Sequence, residues 1–183
     1  MIDFFFHVQT PRHVLSSCTA SLNQQRYTHR HNLVLKQLYT ALASHNAQNQ
    51  LSFDIPGARD PPTWLAQSET LLRPDGWMRA PDGTEYIIEL TVPWEENFES
   101  SNQRKRTKYA ELLLRRKLQH RNTHLIVFEV GARGKLSDSC KELNLLFGGD
   151  KKASSDCRQS MVRAAIRGSF DIWMHRENPT WTL

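Results

Sequence analysis

Hydrophobic positions follow two different patterns along the chain. In residues 26–48 the leucines and Tyr39 recur near helical spacing, which predicts one amphipathic helix. Residues 51–67 then carry Pro56, Gly57 and the pair Pro61–Pro62, a composition typical of a loop or linker. From about residue 68 the apolar runs become short and rich in strand-forming residues, so the chain changes from helix to sheet there.

Two of these short runs, residues 69–78 and 84–92, are predicted to pair as a β-hairpin. The residues between them, APDGT, supply the Asp-Gly signal of a hairpin turn, and Pro93 ends the second strand. Residues 123–130, THLIVFEV, indicate a buried third strand.

Helices complete the pattern. Ser100 and Gln103 form the S-x-x-Q pattern of a capping box, which predicts a helix from near Ser101 to about Gln119. Residues 140–147 and 157–174 also have helical periodicity. The order strand, strand, helix, strand, helix predicts an α/β fold without internal repeats. The expected organisation is an N-terminal helical arm (1–50), a Pro-rich linker (51–67), a core (68–150), and a C-terminal helix and tail (151–183).

Composition narrows the class of protein. A chain of 183 residues with 39% hydrophobic content is long enough for one domain with a real core. The net charge of +5 and the pI of about 9.3 favour a polyanionic partner, although such an excess is often only a solvated surface. The three cysteines form no CxxC pair, and no apolar stretch is long enough to span a membrane or serve as a signal peptide. We expect an intracellular protein that is not secreted and does not enter a membrane.

Glu89 is unusual for the strand in which it lies. Tyr86, Ile88 and Leu90 face one side of that strand, whereas Glu89 shares the other side with Ile87. A buried carboxylate is costly unless a cation neutralises it, and the hairpin brings Asp75 alongside. Two carboxylates on adjacent strands form a hard-oxygen site suited to Mg²⁺. The alternative is that Glu89 lies at a solvent-facing edge and Asp75 caps a turn after Pro74.

The helix after this strand carries lysines on its buried side. Tyr109, Leu112 and Leu113 are spaced to face the sheet, and the same stripe extends back to Lys105 and Lys108. These lysines lie near the helix start, where the helix dipole disfavours positive charge, so helix stability does not explain them.

The same helix is strongly basic along its length. Between Ser101 and Arg121 eight Lys or Arg residues accompany a single acid, Glu111. This composition is typical of a surface that faces phosphates, with a solvated basic helix flank as the alternative. The candidate nucleic-acid-binding residues are Arg73, Arg104, Arg106, Arg115, Arg116 and Lys117.

An Asp, a Glu about a dozen residues later and a converging lysine form the set that phosphodiester hydrolysis requires. A metal held by the acids polarises a phosphoryl oxygen and lowers the pKa of a bound water. The lysine orients that water or stabilises charge in the transition state.

These residues resemble a known family. The segments RPD, IIELTVPWEEN, RKRTKY and FEVGARG are similar to the restriction-like endonuclease domain of non-LTR retrotransposon polyproteins, a branch of the PD-(D/E)XK nucleases. In the wider superfamily a lysine follows two places after the second acid, where this chain has Thr91. The retrotransposon branch carries its lysine on the following helix instead, so this departure supports the branch.

The resemblance implies a fold, a reaction and a set of residues. The fold would be a restriction-endonuclease-like core, a small mixed β-sheet flanked by helices. Asp75 and Glu89 would hold Mg²⁺ or Mn²⁺, Lys105 would be the relocated lysine with Lys108 as its substitute, and Tyr109 would close the helix onto the sheet. The implied activity is nicking of one DNA strand in the nucleus, with RNA as an alternative partner.

The N-terminal region departs from the family. His13 and Cys18 resemble the last two ligands of the CCHC zinc knuckle that precedes the nuclease, but the first two cysteines are absent. Two ligands cannot close a tetrahedral site, so zinc is not expected, and a polar loop leading into a helix is the favoured interpretation. His7, His29 and His31 are weaker replacement ligands.

The segment before Asp75 also departs from the family. The acidic helix that usually precedes the PD strand is expected to be shortened or lost, with Asp60 and Glu69 as stand-ins. Gly76 is expected to weaken the strand beside the metal ligand.

Two hypotheses of different class follow. One is an active metal-dependent endonuclease, and the other is a catalytically inactive nucleic-acid-binding remnant of that domain; a protein–protein module is a third, lesser alternative. The chain is far too short to include a reverse transcriptase, so we expect a retrotransposon fragment or a host gene derived from one. Neither a helix-turn-helix nor a complete zinc finger is evident, so the sequence predicts no target site, and it predicts no oligomeric state.

Overall fold

The structure is a computed structural model that describes residues 9–67 and 70–181. Within these ranges the helices and strands follow one another in a fixed order, with a short 3₁₀ helix before α5 and another before α6. They are α1 (Pro11–Ser16), α2 (Thr19–Asn23), α3 (Arg26–His45), β1 (Gln50–Phe53), α4 (Thr63–Ala66), β2 (Gly76–Arg79), β3 (Glu85–Thr91), α5 (Phe98–Gln119), β4 (Thr123–Glu129), α6 (Leu143–Leu146) and α7 (Lys151–Met174).

The strands form one mixed sheet in the order β1-β2-β3-β4. Strands β1, β2 and β3 are antiparallel, whereas β4 runs parallel to β3. A parallel pair needs a long crossover connection, which α5 supplies. The predicted α/β class, with a small mixed sheet flanked by helices, is therefore confirmed.

The two faces of the sheet bury different helices. Ile88 and Leu90 of β3 pack in the main core with Val34, Leu35 and Leu38 of α3, and this core also includes residues of α7. Neighbouring Ile87 instead packs with Tyr109 and Leu112 of α5. Because side chains alternate along a strand, Glu89 lies on the α5 face together with Ile87.

Helices α3 and α7 cross closely on the main-core face. A Cβ atom placed on Gly168 of α7 would lie 2.9 Å from the Cα of Arg30 in α3. The absence of a side chain at Gly168 therefore lets the two backbones approach each other.

The hairpin and the third strand lie where the sequence predicts them, but several boundaries differ. Strand β1 occupies residues predicted to be linker, and β2 begins at Gly76 rather than residue 69. Helix α5 begins at Phe98 with Asn97 as its N-cap residue, whose side chain forms no capping hydrogen bond in the described chain. Ser100 lies within the first turn and donates its hydroxyl to the Asn97 carbonyl, so the capping-box prediction is wrong. Residues 140–147 divide between a 3₁₀ turn and α6, and α7 begins at Lys151, where Asp150 accepts from two backbone amides.

The N-terminal region is more ordered than the favoured interpretation of a polar loop. Residues 11–16 and 19–23 are helical, because Pro11 is preorganised for a first helical turn and the Thr10 hydroxyl accepts from the His13 amide at 3.2 Å. Helix α3, from the segment predicted to be an arm, shares its core with the sheet. No helix in the described ranges combines the length and apolar content that crossing a membrane requires.

Candidate functional site

The two acidic residues meet where β2 begins beside β3. Gly76 pairs with Ile88, which places Asp75 next to Glu89. The Asp75 amide donates to Glu89 Oε1 at 3.1 Å, and the Leu90 amide donates to Asp75 Oδ2 at 2.8 Å. Both carboxylates are thus held by backbone hydrogen bonds as well as by their own strands.

Lys105 of α5 reaches both carboxylates. Its Nζ contacts Glu89 Oε2 directly and lies 3.7 Å from Asp75 Oδ2. The Glu89 side chain is fully buried, and those of Asp75 and Lys105 are 15% and 17% exposed. One ammonium therefore attracts both carboxylates where water screens the charges little.

His31 of α3 contacts one of the two acids, Asp75. Its Nε2 lies 3.3 Å from Asp75 Oδ2, and its Nδ1 lies 3.3 Å from Asn32 Oδ1. From the sequence, His31 is predicted only as a weaker replacement ligand for zinc. The signal that places it here is its spacing, because His31 continues the buried stripe of Val34, Leu35 and Leu38.

The Tyr109 ring packs beside the Lys105 side chain on α5. It is fully buried, and its hydroxyl donates to the Arg73 carbonyl at 2.7 Å. Its ring centre lies 6.0 Å from the Lys105 ammonium and 5.0 Å from that of Lys108. Tyr109 thereby joins α5 to the residues just before β2.

Burial and charge shift the pKa values of this cluster. Burial, together with the Asp75 charge, raises the pKa of Glu89 to about 7, although Lys105 opposes the shift. Burial also opposes ionisation of Asp75, but hydrogen bonding and charge from His31, with Lys105 and the Leu90 amide, outweigh burial and lower the Asp75 pKa.

The pKa values of the two basic groups, His31 and Lys105, are raised, although burial alone would lower them. Burial would lower the pKa of His31, yet its contact with Asp75 raises that pKa. Likewise, burial of Lys105 is outweighed by Asp75 and Glu89, which raise its pKa. The site is thus an interdependent set of two acids and two bases.

Gly76 has a packing role beside this cluster. A Cβ atom at Gly76 would lie 2.7 Å from the ring of Phe53. The sequence predicts that this glycine weakens its strand, whereas its missing side chain is what admits the buried Phe53 ring from β1.

Lys108, the substitute for Lys105, is placed differently. It is exposed, lies against the Tyr109 ring, and forms no ion pair with any carboxylate in the described part of the chain. Of the two lysines, Lys105 is therefore the one that meets the acids.

The predicted nucleic-acid-binding residues fall into two groups. Arg106 pairs with Glu142 at 2.8 Å and Arg115 pairs with Glu111 at 2.5 Å. The Nε and Nη2 atoms of Arg116 each donate to a carboxylate oxygen of Glu85 at 2.7 Å. Within residues 9–67 and 70–181 the remaining members form no ion pair; they are Arg73, Arg104 and Lys117. These last cations are the ones available to a polyanion.

The zinc-knuckle residues do not converge. His13 is exposed on α1, and the half-buried Cys18 precedes α2, where its amide donates to the Tyr27 hydroxyl at 3.0 Å. His29 lies 3.5 Å from Asp171. Among the residues that the structure describes, no group of three or more His, Cys, Asp or Glu side chains is arranged to hold a metal.

Of the two stand-ins proposed for a missing acidic helix, only Asp60 is described. Asp60 is exposed in the loop before α4, and Glu69 and His7 lie outside the described residues. The helix that supports the sheet near Asp75 is α3, which contributes a histidine there instead of an acid.

Comparison with protein-family models and with curated proteins identifies no relative of this chain. The chain matches no model of a known protein family, and it matches no curated protein.

The donor set fits a hard divalent cation. Asp75 Oδ2 and Glu89 Oε2 already share one positive charge, and carboxylate oxygens are the ligands that Mg²⁺ and Mn²⁺ prefer. Lys105 already supplies positive charge to both acids, so a metal would have to share the acids with the ammonium or displace it.

Proposed function

We propose that the protein is a metal-dependent endonuclease that nicks one strand of DNA, related to the restriction-like endonuclease domain of non-LTR retrotransposons and acting in the nucleus. The observation that carries this proposal is the single ammonium shared by Asp75 and Glu89. Two acids and a lysine that meet at one point are what a metal-assisted phosphodiester hydrolysis needs.

Each residue has a distinct role in this proposal. Asp75 and Glu89 would hold Mg²⁺ or Mn²⁺, and Lys105 stabilises the negative charge that develops on the phosphoryl oxygens. When bound, the metal acts as a Lewis acid and lowers the pKa of a water. Hydrolysis adds that water across a P–O bond, leaving a phosphate monoester on one side of the nick and a hydroxyl on the other.

His31 and Tyr109 position these groups. His31 holds Asp75 Oδ2, and Tyr109 fixes α5 against the residue two places before Asp75. The free cations Arg73, Arg104 and Lys117 supply the electrostatic attraction to the DNA backbone.

A nicking assay on supercoiled plasmid and on branched DNA tests the proposal. We expect wild-type protein to nick with Mg²⁺ or Mn²⁺ and not with EDTA. Glu89→Gln and Lys105→Ala are each expected to lower the rate by about a hundredfold or more, because the first removes a carboxylate that would hold the metal and the second removes the ammonium at the reacting phosphate. Lys108→Ala, a matched loss of a lysine on the same helix, is expected to retain most of the rate.

Equal losses in the Lys105 and Lys108 variants would contradict the assigned role of Lys105. Absence of metal-dependent nicking by folded wild-type protein would overturn the endonuclease proposal as a whole.

One observation favours the second candidate function, an inactive nucleic-acid-binding remnant. Both acids already have cationic partners in Lys105 and His31, so the metal-free cluster is electrostatically satisfied. Salt-sensitive DNA binding without cleavage in the same assay series is the result that this candidate predicts.

A further inference from the structure

An open cavity of about 670 Å³ adjoins the acid cluster. It lies between the carboxyl end of β3 and the first turns of α5, and α3 forms its other wall. His31 lines this cavity and also contacts Asp75. A molecule in the cavity would therefore lie beside the candidate metal site.

The lining of the cavity carries positive charge and no acid. Arg30, Arg104 and His31 all line it, whereas none of its lining residues is Asp or Glu. Such a surface attracts anions and repels cations.

Arg30 carries a buried charge without a carboxylate partner. The residue is 2% exposed, and its guanidinium donates to the Leu15 and Val92 carbonyls at 3.0 and 2.9 Å and to the Ser169 hydroxyl at 3.1 Å. No carboxylate in the described ranges lies within ion-pair distance of Arg30, and its Nε has no hydrogen-bond partner there.

The carboxylate that acts on Arg30 from longer range is already engaged. Glu95 bonds to the Arg133 guanidinium at 2.8 Å and to the Arg133 amide at 2.7 Å. Dipoles and the Tyr27 ring, whose centre lies 5.4 Å from the guanidinium carbon, are the contacts of Arg30, and no carboxylate in the described part of the chain balances its charge. An anion in the cavity beside this buried charge would therefore add stability.

Further donors around the cavity lack partners. The Thr91 hydroxyl is buried with no hydrogen-bond partner in the described chain, and Arg104 forms no ion pair there. Ser100 and Ser101 line the cavity from the first turns of α5, where the helix dipole also favours negative charge.

We propose that this cavity binds a backbone phosphate of DNA adjacent to the phosphate at the acid cluster. The inference rests on the proposed function, because that function brings a DNA strand to Asp75 and Glu89. Arg104 reaches the phosphate from the rim, Thr91 donates to it from the wall, and Arg30 supplies charge from beneath. The cavity thereby fixes the strand on one side of the nick.

Binding of a short DNA duplex in EDTA tests this assignment without cleavage. Fluorescence anisotropy over a series of salt concentrations gives both the affinity and its salt dependence. We expect Arg104→Gln to weaken binding by about tenfold at low salt, the loss typical of one charge-assisted contact. The slope of log K against log salt is expected to fall by about 0.9, the value for one phosphate contact.

Arg163→Gln is the matched control, because Arg163 is an exposed arginine of α7 outside the cavity and loses the same charge. It should keep the wild-type affinity and slope. Circular dichroism melting verifies that each variant is folded. Equal effects of the Arg104 and Arg163 substitutions would overturn the assignment.

Amide resonances locate the contact and identify the source of the phosphate. In a ¹⁵N-labelled sample the duplex is expected to shift the amides of Thr91, Ser100 and Ser101, with smaller shifts in Arg104→Gln. Saturable shifts of the same amides by inorganic phosphate alone, without response to the duplex, would make the cavity a free-phosphate site and overturn the DNA assignment.

The outcome separates this inference from the proposed function. Cavity-dependent binding in EDTA without nicking in Mg²⁺ would support the cavity and refute the endonuclease. Nicking in Mg²⁺ with no effect of Arg104→Gln on binding would refute the cavity and leave the endonuclease standing.

Discussion

At the scale of single residues, the acids Asp75 and Glu89 are stabilised by contacts with the basic groups Lys105 and His31. Glu89 is fully buried, and its ionised form is tolerated because Lys105 contacts it. Asp75 is held by His31 and by the Leu90 amide. Since each group depends on the ionisation of the others, a change at one of them alters the protonation of the whole set.

The raised pKa of Glu89 predicts a pH-dependent stability of the metal-free protein. A carboxyl whose folded-state pKa of about 7 exceeds its unfolded value of 4.5 contributes stability that is full below pH 4.5 and is lost as pH rises through 7. Glu89→Gln removes this contribution. In EDTA, the melting temperature of the variant is therefore expected to rise relative to that of wild type as pH increases from about 4.5 to about 7, and the difference is expected to level off above pH 7.

The lowered pKa of Asp75 does not interfere, because stability linked to it is lost only below its unfolded pKa of 3.8. The raised pKa of His31 contributes stability that is lost only as pH rises above its ordinary value of 6.5, so the change between pH 4.5 and pH 6.5 reports on Glu89. A difference in melting temperature that stays constant with pH would contradict the assigned ionisation of Glu89.

At the scale of secondary-structure elements, α5 has two tasks. It connects the parallel strands β3 and β4, and its buried stripe carries Tyr109 together with Lys105. The catalytic lysine of the proposed site is therefore fixed by the same packing that closes the sheet.

The crossing of α3 and α7 predicts a stability effect of definite sign. Alanine normally stabilises a helix by about 1 kcal/mol relative to glycine. At Gly168, however, the added Cβ would lie 2.9 Å from the Arg30 backbone, so we expect Gly168→Ala to destabilise the protein by about 1–3 kcal/mol. Urea unfolding measures the change. A stabilised variant would show that the helices can separate at no cost.

Much of the fold could be predicted from local sequence, and some of it could not. The hairpin and β4 follow from a turn signal and from apolar runs, which depend on neighbouring residues alone. Strand β1 was missed because its four residues, QLSF, are too short to show alternation and adjoin a segment rich in proline. Its identity as a strand depends on pairing with β2.

The candidate site divides in the same way. Asp75, Glu89 and Lys105 lie within one hairpin and the next helix, so motif and periodicity predict them, with Lys108 left as a substitute for Lys105. The contact of His31 with Asp75 joins α3 to the start of β2 and depends on tertiary packing. No local pattern reports that His31, rather than an acid, would face the site.

At the scale of the whole molecule, helix α3 and the sheet share one core. Val34, Leu35, Leu38 and Leu42 of α3 are fully buried in the cluster that contains β3 and β4. A fragment that lacks residues 1–46 would expose to water the apolar face of the sheet that α3 covers.

We therefore expect the fragment without residues 1–46 to lose cooperative unfolding. Loss of a fully buried Leu alone costs about 2–5 kcal/mol, and several such residues exceed the usual stability of a domain. Thermal melting followed by near-ultraviolet circular dichroism, compared with the full chain, measures the effect. A sharp transition in the fragment would show that residues 47–183 fold independently.

The crossover by α5 also orders the events of folding. Asp75 and Glu89 belong to a hairpin, a local structure that forms with little loss of chain entropy. Lys105 reaches them only when α5 packs against the face of the sheet formed by β3 and β4. During that interval two carboxylates approach each other without their ammonium. The carboxylates that would hold a divalent cation in the proposed function thus repel each other in the nascent hairpin, and we expect a divalent cation present during refolding to speed the formation of the sheet.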